Sequence, residues 1–507
     1  ASLEYLRGFP FDIIKIDRGL VQGVDRDPRK QQMLEDIIGY ARQGGTRVLA
    51  EGVETRGELS ALCRMGVDYA QGFHLGRPAV AFGGVAEEAA AVIRGMTRSA
   101  RPDPGHAVSV ATRTFSFRDP AMSRHAVLSG WLILRLATEW GMDAADALQL
   151  SIAGILPDAA ALLSDEADWR NVEGRAGALR AHAAAGLAEA FLPGWPWAHA
   201  VRRLHERGAD ETDATRILGL ADRLAFQADA GSDALRTEGF LRVLEGLAWP
   251  AGQRLARLMP QLAEEAVNSV WVEDWFGRLH GIQEDGDLTE GLLRLLAHVV
   301  DARSRHMAGH AAEMEKAAEM LAVMRKQGWH MAERIRLAAL CRDLGNLAVP
   351  ASLFDKQGRL TAQEMEQFRT HAVRSRDLLA TVGLTDLAEL QAPSAERGPH
   401  AEAPMEKDVV QGRAILEVAD VLTALLQDRA WRPAMTRPQA AAVLTEMASA
   451  GMLDPLVCET AIENLDVLAE GIQSVRRSMR EKLRLGAPRL QVVSGGAAIH
   501  TDERNRT

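Results

Sequence analysis

Apolar positions along residues 1–80 change period several times. FDIIKID (11–17) is a short β-rich run. Residues 28–44 carry helical spacing, with Pro28 in the first turn and Gly44-Gly45 at the end. RVLAEGV (47–53) again reads as a strand, and residues 55–65 as a helix with Thr55 as its N-cap. YAQGFHLGRP (69–78) is a third strand running into a Gly-Pro loop. Strand and helix alternating at this spacing predict βαβ units and a parallel sheet. After Pro78 the style changes. A helix is expected over 83–96 and a linker over RSARPDPG (98–105). Long amphipathic helices with almost no strand signal follow to about 485, and the stretch from Gly486 to Thr507 reads as a frayed tail.

The helical part repeats itself. RDPAMSRH (118–125) corresponds to RSRHMAGH (303–310), and LPD (156–158) to CRD (341–343). His125 to Asp158 and His310 to Asp343 are both intervals of 33 residues. HAAAG (182–186) then matches HAVRS (371–375), and RILGLADRLA (216–225) matches RAILEVADVLTA (413–424). Residues 238–258 resemble residues 440–461. Recurrence of five landmarks in one order is the mark of duplication.

Composition narrows the chemistry. The 507 residues make about three domains at roughly 100–200 residues each. Hydrophobic residues are 47% and charged residues 25%, ordinary for globular protein, and the scarcity of aromatics (5%) favours Leu/Ala/Val/Ile helical cores. A net charge of −10 argues against nucleic acid or anionic membrane as a partner. No long apolar stretch or signal-peptide pattern is present, and three scattered cysteines (Cys63, Cys341, Cys458) fit a reducing cytoplasm. Only seven of the 59 basic residues are Lys, and none lies between Lys30 and Lys316.

Polar groups stand at the three strand ends: Lys15 and Asp17, then Glu51 and Glu54, then Gln71. In an α/β barrel such ends form the reacting rim, and an amine, carboxylates and an amide suit phosphate and divalent-metal chemistry. Polar residues also end strands simply because strands end at water. SLEYLRGFPFDIIKID, VLAEGVET and GVDYAQGFHLGRP resemble the last third of an EAL domain, the cyclic di-GMP phosphodiesterase family. The resemblance implies that Lys15 helps position the attacking water, Glu51 contributes to a two-metal Mg2+ or Mn2+ site, Glu54 supports the following loop and Gln71 lines the substrate pocket. The family's Glu-Ala-Leu signature and paired aspartates belong upstream, and the chain begins on Ala1, after both. About three strands of an eight-stranded barrel of roughly 250 residues remain. An open parallel sheet cannot enclose a metal centre. Truncation of a longer gene product is therefore expected, with a remnant domain as the alternative.

The repeats carry His and Asp at long spacing on helices, the way a bundle builds a metal site in its core. Each such histidine taken alone reads more simply as a core or surface residue. DARSRHMAGH (301–310), residues 338–371 and residues 415–435 resemble an HD-GYP domain, a metal-dependent hydrolase family acting on cyclic di-GMP, over roughly 290–465. The first repeat resembles it more faintly. The family's adjacent His-Asp pair is replaced by Pro157-Asp158 and by Arg342-Asp343, its following lysine is Asn346 in the second repeat, and the Gly-Tyr-Pro loop is missing. Proline has no donor, and a guanidinium stays protonated and repels a cation. Surviving ligands implied by the resemblance are His125, Asp158, His182, His205 and Asp222 in the first repeat. In the second they are His310, Asp343, His371 and Asp420. One transition metal in the first repeat remains open, while Arg342 could pair with Asp343 or Asp420 and occupy the metal's place.

The expected fold is mixed: an α/β fragment, the last third of a TIM-type barrel, followed by two mostly α-helical HD-type bundles. The expected boundaries are 1–80 for the barrel part and 81–112 for a helix and linker. Bundle 1 then takes 113–265, a linking helix 266–289, bundle 2 290–470, and a C-terminal helix and tail 471–507. Residues 262–300 read as two linking helices that could carry an interface. The expected function is a cytoplasmic cyclic di-GMP signalling protein with catalytically degenerate bundles serving regulation or dimerisation. Cyclic di-GMP and a homodimer or signalling partner are the expected contacts. The alternatives are an active phosphodiesterase in the full-length protein, or a single-metal phosphohydrolase through bundle 1.

Overall fold

The computed structural model describes residues 13–43, 47–65, 67, 69–77, 89, 102–163, 174–204, 212–229, 270–282, 287–304, 306–358, 360–392 and 407–486. The chain is mostly helical, with one small parallel sheet at its start.

Strands β1 (Ile13–Ile16), β2 (Arg47–Glu51) and β3 (Tyr69–Gln71) pair in parallel in the order β1-β2-β3. The short helix α1 (Arg18–Val21), α2 (Pro28–Gln43) and α3 (Arg56–Met65) make the crossovers. Pro28 starts α2 as the sequence suggests, and the preceding Asp27 carboxylate accepts from Arg29 N at 3.0 Å. Thr55 starts α3 in a reciprocal cap: its hydroxyl accepts from Glu58 N at 3.2 Å, while Glu58 accepts from Thr55 N at 3.0 Å. Ile16, Leu34, Ile38, Val48, Ala50, Leu59 and Leu62 form a separate core between sheet and helices. The predicted helix at 83–96 lies outside the described residues, apart from Ala89.

The helical region begins earlier than the composition suggests. Asp103-Pro104, within the stretch read as a linker, opens helix α4 (Pro104–Ser116). Asp-Pro is a strong start signal, because the carboxylate caps the orphan N–H groups and proline needs no partner for its missing one. The same pair opens α5 (Pro120–Glu139). There follow α6 (Ala144–Ile152), a 3₁₀ turn into α7 (Leu156–Ala161), α8 (Gly174–Phe191), α9 (Ala198–Arg202), α10 (Asp213–Asp229) and α11 (Val270–His280). Next come α12 (Asp287–Asp301), α13 (His310–Met324), α14 (Trp329–Leu340), a 3₁₀ turn over Leu344–Ala348 and α15 (Ala351–Phe354). The remaining helices are α16 (Ala362–Thr381), α17 (Thr385–Gln391), α18 (Lys407–Leu425), α19 (Arg437–Ser449), α20 (Pro455–Glu463) and α21 (Leu465–Gly486).

Packing repeats along with sequence. Helix α5 lies against α4, α6 and α10, as α13 lies against α12, α14 and α18. Helices α8 and α9 pair like α16 and α17. The leading helices α4 and α12 also pack on each other, so the two halves share one apolar core running from Ala107 to Ile472. Residues 104–112 are therefore core rather than linker, with Ala107, Val108, Val110 and Ala111 buried. Helix α11 is no free connector either. Its Trp275 is fully buried against α5 where Gly130 leaves room, and its indole N–H donates to Ser151 Oγ at 2.9 Å.

Candidate functional site

Three places hold the residues singled out by sequence. At the sheet edge, Lys15 stands one residue before the end of β1, Glu51 ends β2 and Gln71 ends β3, and Glu51 and Gln71 are register partners. Lys15 Nζ donates to Glu51 Oε1 at 2.6 Å. Glu54 is turned to its own unit, 2.7 Å from Arg18 and accepting from Gln22 at 3.3 Å. Among the described residues Glu51 belongs to no group of three His, Cys, Asp or Glu donors within mutual reach. This edge brings together the expected rim but does not by itself fit a two-metal centre.

In the first repeat His125 (α5) and Asp158 (α7) are fully buried, with His125 Nδ1 2.8 Å from Asp158 Oδ2. The other ring nitrogen, Nε2, lies 3.7 Å from Asp222 (α10). The two carboxylates thus sit on opposite edges of one imidazole and cannot share an ion with a single ring nitrogen. Burial disfavours the charged ring, and Asp158 and Asp222 outweigh it, so His125 is held above its ordinary pKa. Beside them is a residue the sequence reading passed over. Arg180 on α8 is buried, its guanidinium 3.7 Å from Asp222 and over the Phe226 ring at 5.5 Å. His182 does not join them. It lies two residues beyond Arg180, on the outer face of α8, where Nδ1 is 2.9 Å from the Ala178 carbonyl of its own helix. Two positions turn a helix by about 200°, which separates the faces. His205 lies outside the described residues.

The second repeat assembles the corresponding side chains. His310 Nε2 is 3.4 Å from Asp343 and 3.8 Å from Asp420, and His371 Nε2 is 3.6 Å from Asp343. Arg342 Nε donates to Asp420 Oδ2 at 2.9 Å. Burial opposes ionisation of Asp420, but Arg342 and His310 outweigh it and hold the carboxyl well below the usual range. The same balance, burial against Asp420 and Asp343, leaves His310 raised. Two further groups were missed. Arg429, in the turn after α18, is lowered by burial while Asp343 and Asp420 oppose the fall. Asp301 is buried at the end of α12, accepts from Ala311 N at 2.7 Å, and burial pushes it up to about 8. A helical-phase reading would have found Arg180; no periodic signal marks Arg429 or Asp301.

Neither core fits a metal among its described residues. In neither do three His, Cys, Asp or Glu side chains offer donor atoms within 4.8 Å of one another. Each instead places a guanidinium against the carboxylate of the third helix, Asp222 or Asp420. At Asp420 the guanidinium donates at 2.9 Å, and at Asp222 it stands 3.7 Å away.

Comparison with known proteins bears on the same residues. Residues 1–78 match the EAL domain model and residues 294–457 match the HD domain model. One segment is thus similar to an EAL domain and a later one to an HD domain. The EAL match covers Lys15, Glu51, Glu54 and Gln71, and the HD match covers His310, Arg342, Asp343, His371 and Asp420. The cyclic di-GMP phosphodiesterase PdeL of Escherichia coli is 37% identical over 73 residues, 14% of this chain and 20% of that protein. The signaling protein YkoW of Bacillus subtilis is 36% identical over 78 residues, 15% of this chain and 10% of that protein. The 3'3'-cGAMP-specific phosphodiesterase 1 of Vibrio cholerae is 28% identical over 177 residues, 34% of this chain and 40% of that protein. The chain thus spans well under half the length of these relatives. A solved cyclic GMP-AMP specific phosphodiesterase of Vibrio cholerae superposes with a TM-score of 0.44 at 18% identity, covering 74% of this chain and 98% of that one. No helix among the described residues is long and apolar enough to cross a membrane.

Proposed function

We propose that the chain is part of a cyclic dinucleotide signalling protein whose helical region is a tandem of two HD-type bundles that no longer hydrolyse. The sheet unit, in this reading, is three strands of an EAL barrel. Each bundle starts at its leading helix, α4 or α12, rather than at residues 113 and 290, because those helices share the core. The bundles serve as a rigid regulatory or dimerisation module in the cytoplasm, responding to cyclic di-GMP.

The observation that carries the reading is the ion pair between Arg342 and Asp420, 2.9 Å apart, at the position where the resemblance implies a metal-binding histidine. Arg180 beside Asp222 plays the same part from a different helix. In a full-length protein supplying the upstream EAL strands, Lys15, Glu51, Glu54 and Gln71 would support phosphodiester hydrolysis with Mg2+ or Mn2+ in that domain. The meeting of Lys15, Glu51 and Gln71 at one sheet edge supports this second reading, which is compatible with silent bundles.

Arg342→His, alone and combined with Arg429→Met, tests the substitution. Mn2+ bound per chain is measured against the parent by equilibrium dialysis. A gain of Mn2+ in either variant is expected. An unchanged content in both, with helical structure intact, would contradict the guanidinium's role as a metal substitute.

A further inference from the structure

Away from both bundle cores, three side chains from distant parts of the chain meet at one point. Asp103 caps the N-terminus of α4, His106 lies in the first turn of the same helix, and His280 is the last residue of α11. His106 Nδ1 is 2.9 Å and His280 Nδ1 is 2.8 Å from the same oxygen, Asp103 Oδ1. The second carboxylate oxygen is 3.0 Å from His280 Nδ1. The two rings meet edge to face with centroids 4.6 Å apart. Space for His280 exists only because position 105 is glycine, since a Cβ there would run into its ring. His106 also borders the second bundle: a Cβ added to Gly383, in the turn after α16, would stand 3.8 Å from its Nε2.

We propose that Asp103, His106 and His280 form a binding site for a divalent transition metal of the Zn2+ class, clamping α4 to α11. Donor identity carries the choice of ion. Two imidazole nitrogens with one carboxylate suit Zn2+, Co2+ or Ni2+ and suit Mg2+ or Ca2+ poorly. Spacing agrees: donors around a tetrahedral zinc stand about 3.3 Å apart, a few tenths of an ångström more than the observed gaps. The side chains are 24–39% exposed, which leaves an entry path and a fourth position for water. Among the described residues this is the one group of three such donors within mutual reach, and it does not depend on whether the bundles hydrolyse anything.

Co2+ titration of the whole chain, read by visible absorption and by calorimetry, tests the site. One equivalent is expected, displaced by Zn2+, with Zn2+ raising the thermal midpoint. His280→Gln and His106→Gln should abolish that equivalent. Asp103→Ser keeps a helix-capping hydroxyl and should also lose the metal while preserving the far-UV spectrum. Conversely, His125→Gln and His310→Gln should leave it intact. No Co2+ uptake by the parent, equal uptake in Asp103→Ser and His280→Gln, or loss only in the bundle-core variants would each overturn the proposal.

Discussion

His125 has a carboxylate at each ring nitrogen, Asp158 at 2.8 Å and Asp222 at 3.7 Å, with no exposed edge. Removing the ring strands buried charge, so His125→Ala should destabilise the fold by about 3–5 kcal/mol in denaturant titration. Because the folded pKa lies above that of the unfolded chain, this stabilisation is fully present below about pH 6.5 and is lost as pH rises through the folded value. Asp301 behaves as the reverse charge type with the same pH direction. Its folded pKa of about 8 exceeds the ordinary carboxyl value of 3.8, so the folded state keeps a proton that the unfolded chain has released. Stability therefore falls between those two values as pH rises. Asp301→Asn mimics the protonated side chain and keeps an acceptor for Ala311. The thermal midpoint of this variant should match the parent near pH 3.5 and exceed it by a growing margin toward pH 8; an equal pH slope in both proteins would refute the assignment.

At the scale of elements, capping made much of the chain legible. Thr55 and Pro28 mark helix starts through local chemistry, which a sequence displays directly. The 33-residue His–Asp spacing likewise survives as a contact, because both residues lie on helices facing one core. The misreadings share a cause too. Taking 98–105 as a linker weighed Pro and Gly as breakers, whereas Asp103 turns Pro104 into a helix start. His182 was aligned with His371 by its place in the repeat, but its side chain follows the phase of α8 and points outward. Arg429, Asp301 and the pairing of His280 with Asp103, 177 residues apart, depend on tertiary packing and leave no local trace. The last helix offers a further check. Arg476 of α21 grips the buried Glu313 of α13 through two bonds of 2.6 and 2.7 Å. Arg476→Met should therefore cost about 3–5 kcal/mol by leaving that carboxylate unpaired by charge, with α21 amides gaining hydrogen exchange first.

Across the whole molecule, one apolar core joins both helical halves, while the sheet unit keeps its own. All ten tryptophans follow residue 130, in both helical halves. Tryptophan fluorescence should accordingly report a single unfolding transition for the helical region, and two separated fluorescence transitions would show that the halves do not share a core. In the proposed reading, such a fused pair of bundles transmits a signal and does not activate water. The most direct measurement is turnover. The purified chain, incubated with cyclic di-GMP and Mn2+ or Mg2+, should yield no linear dinucleotide above a no-protein control. Release of the linear product, abolished by Asp343→Asn or Asp158→Asn, would contradict the account.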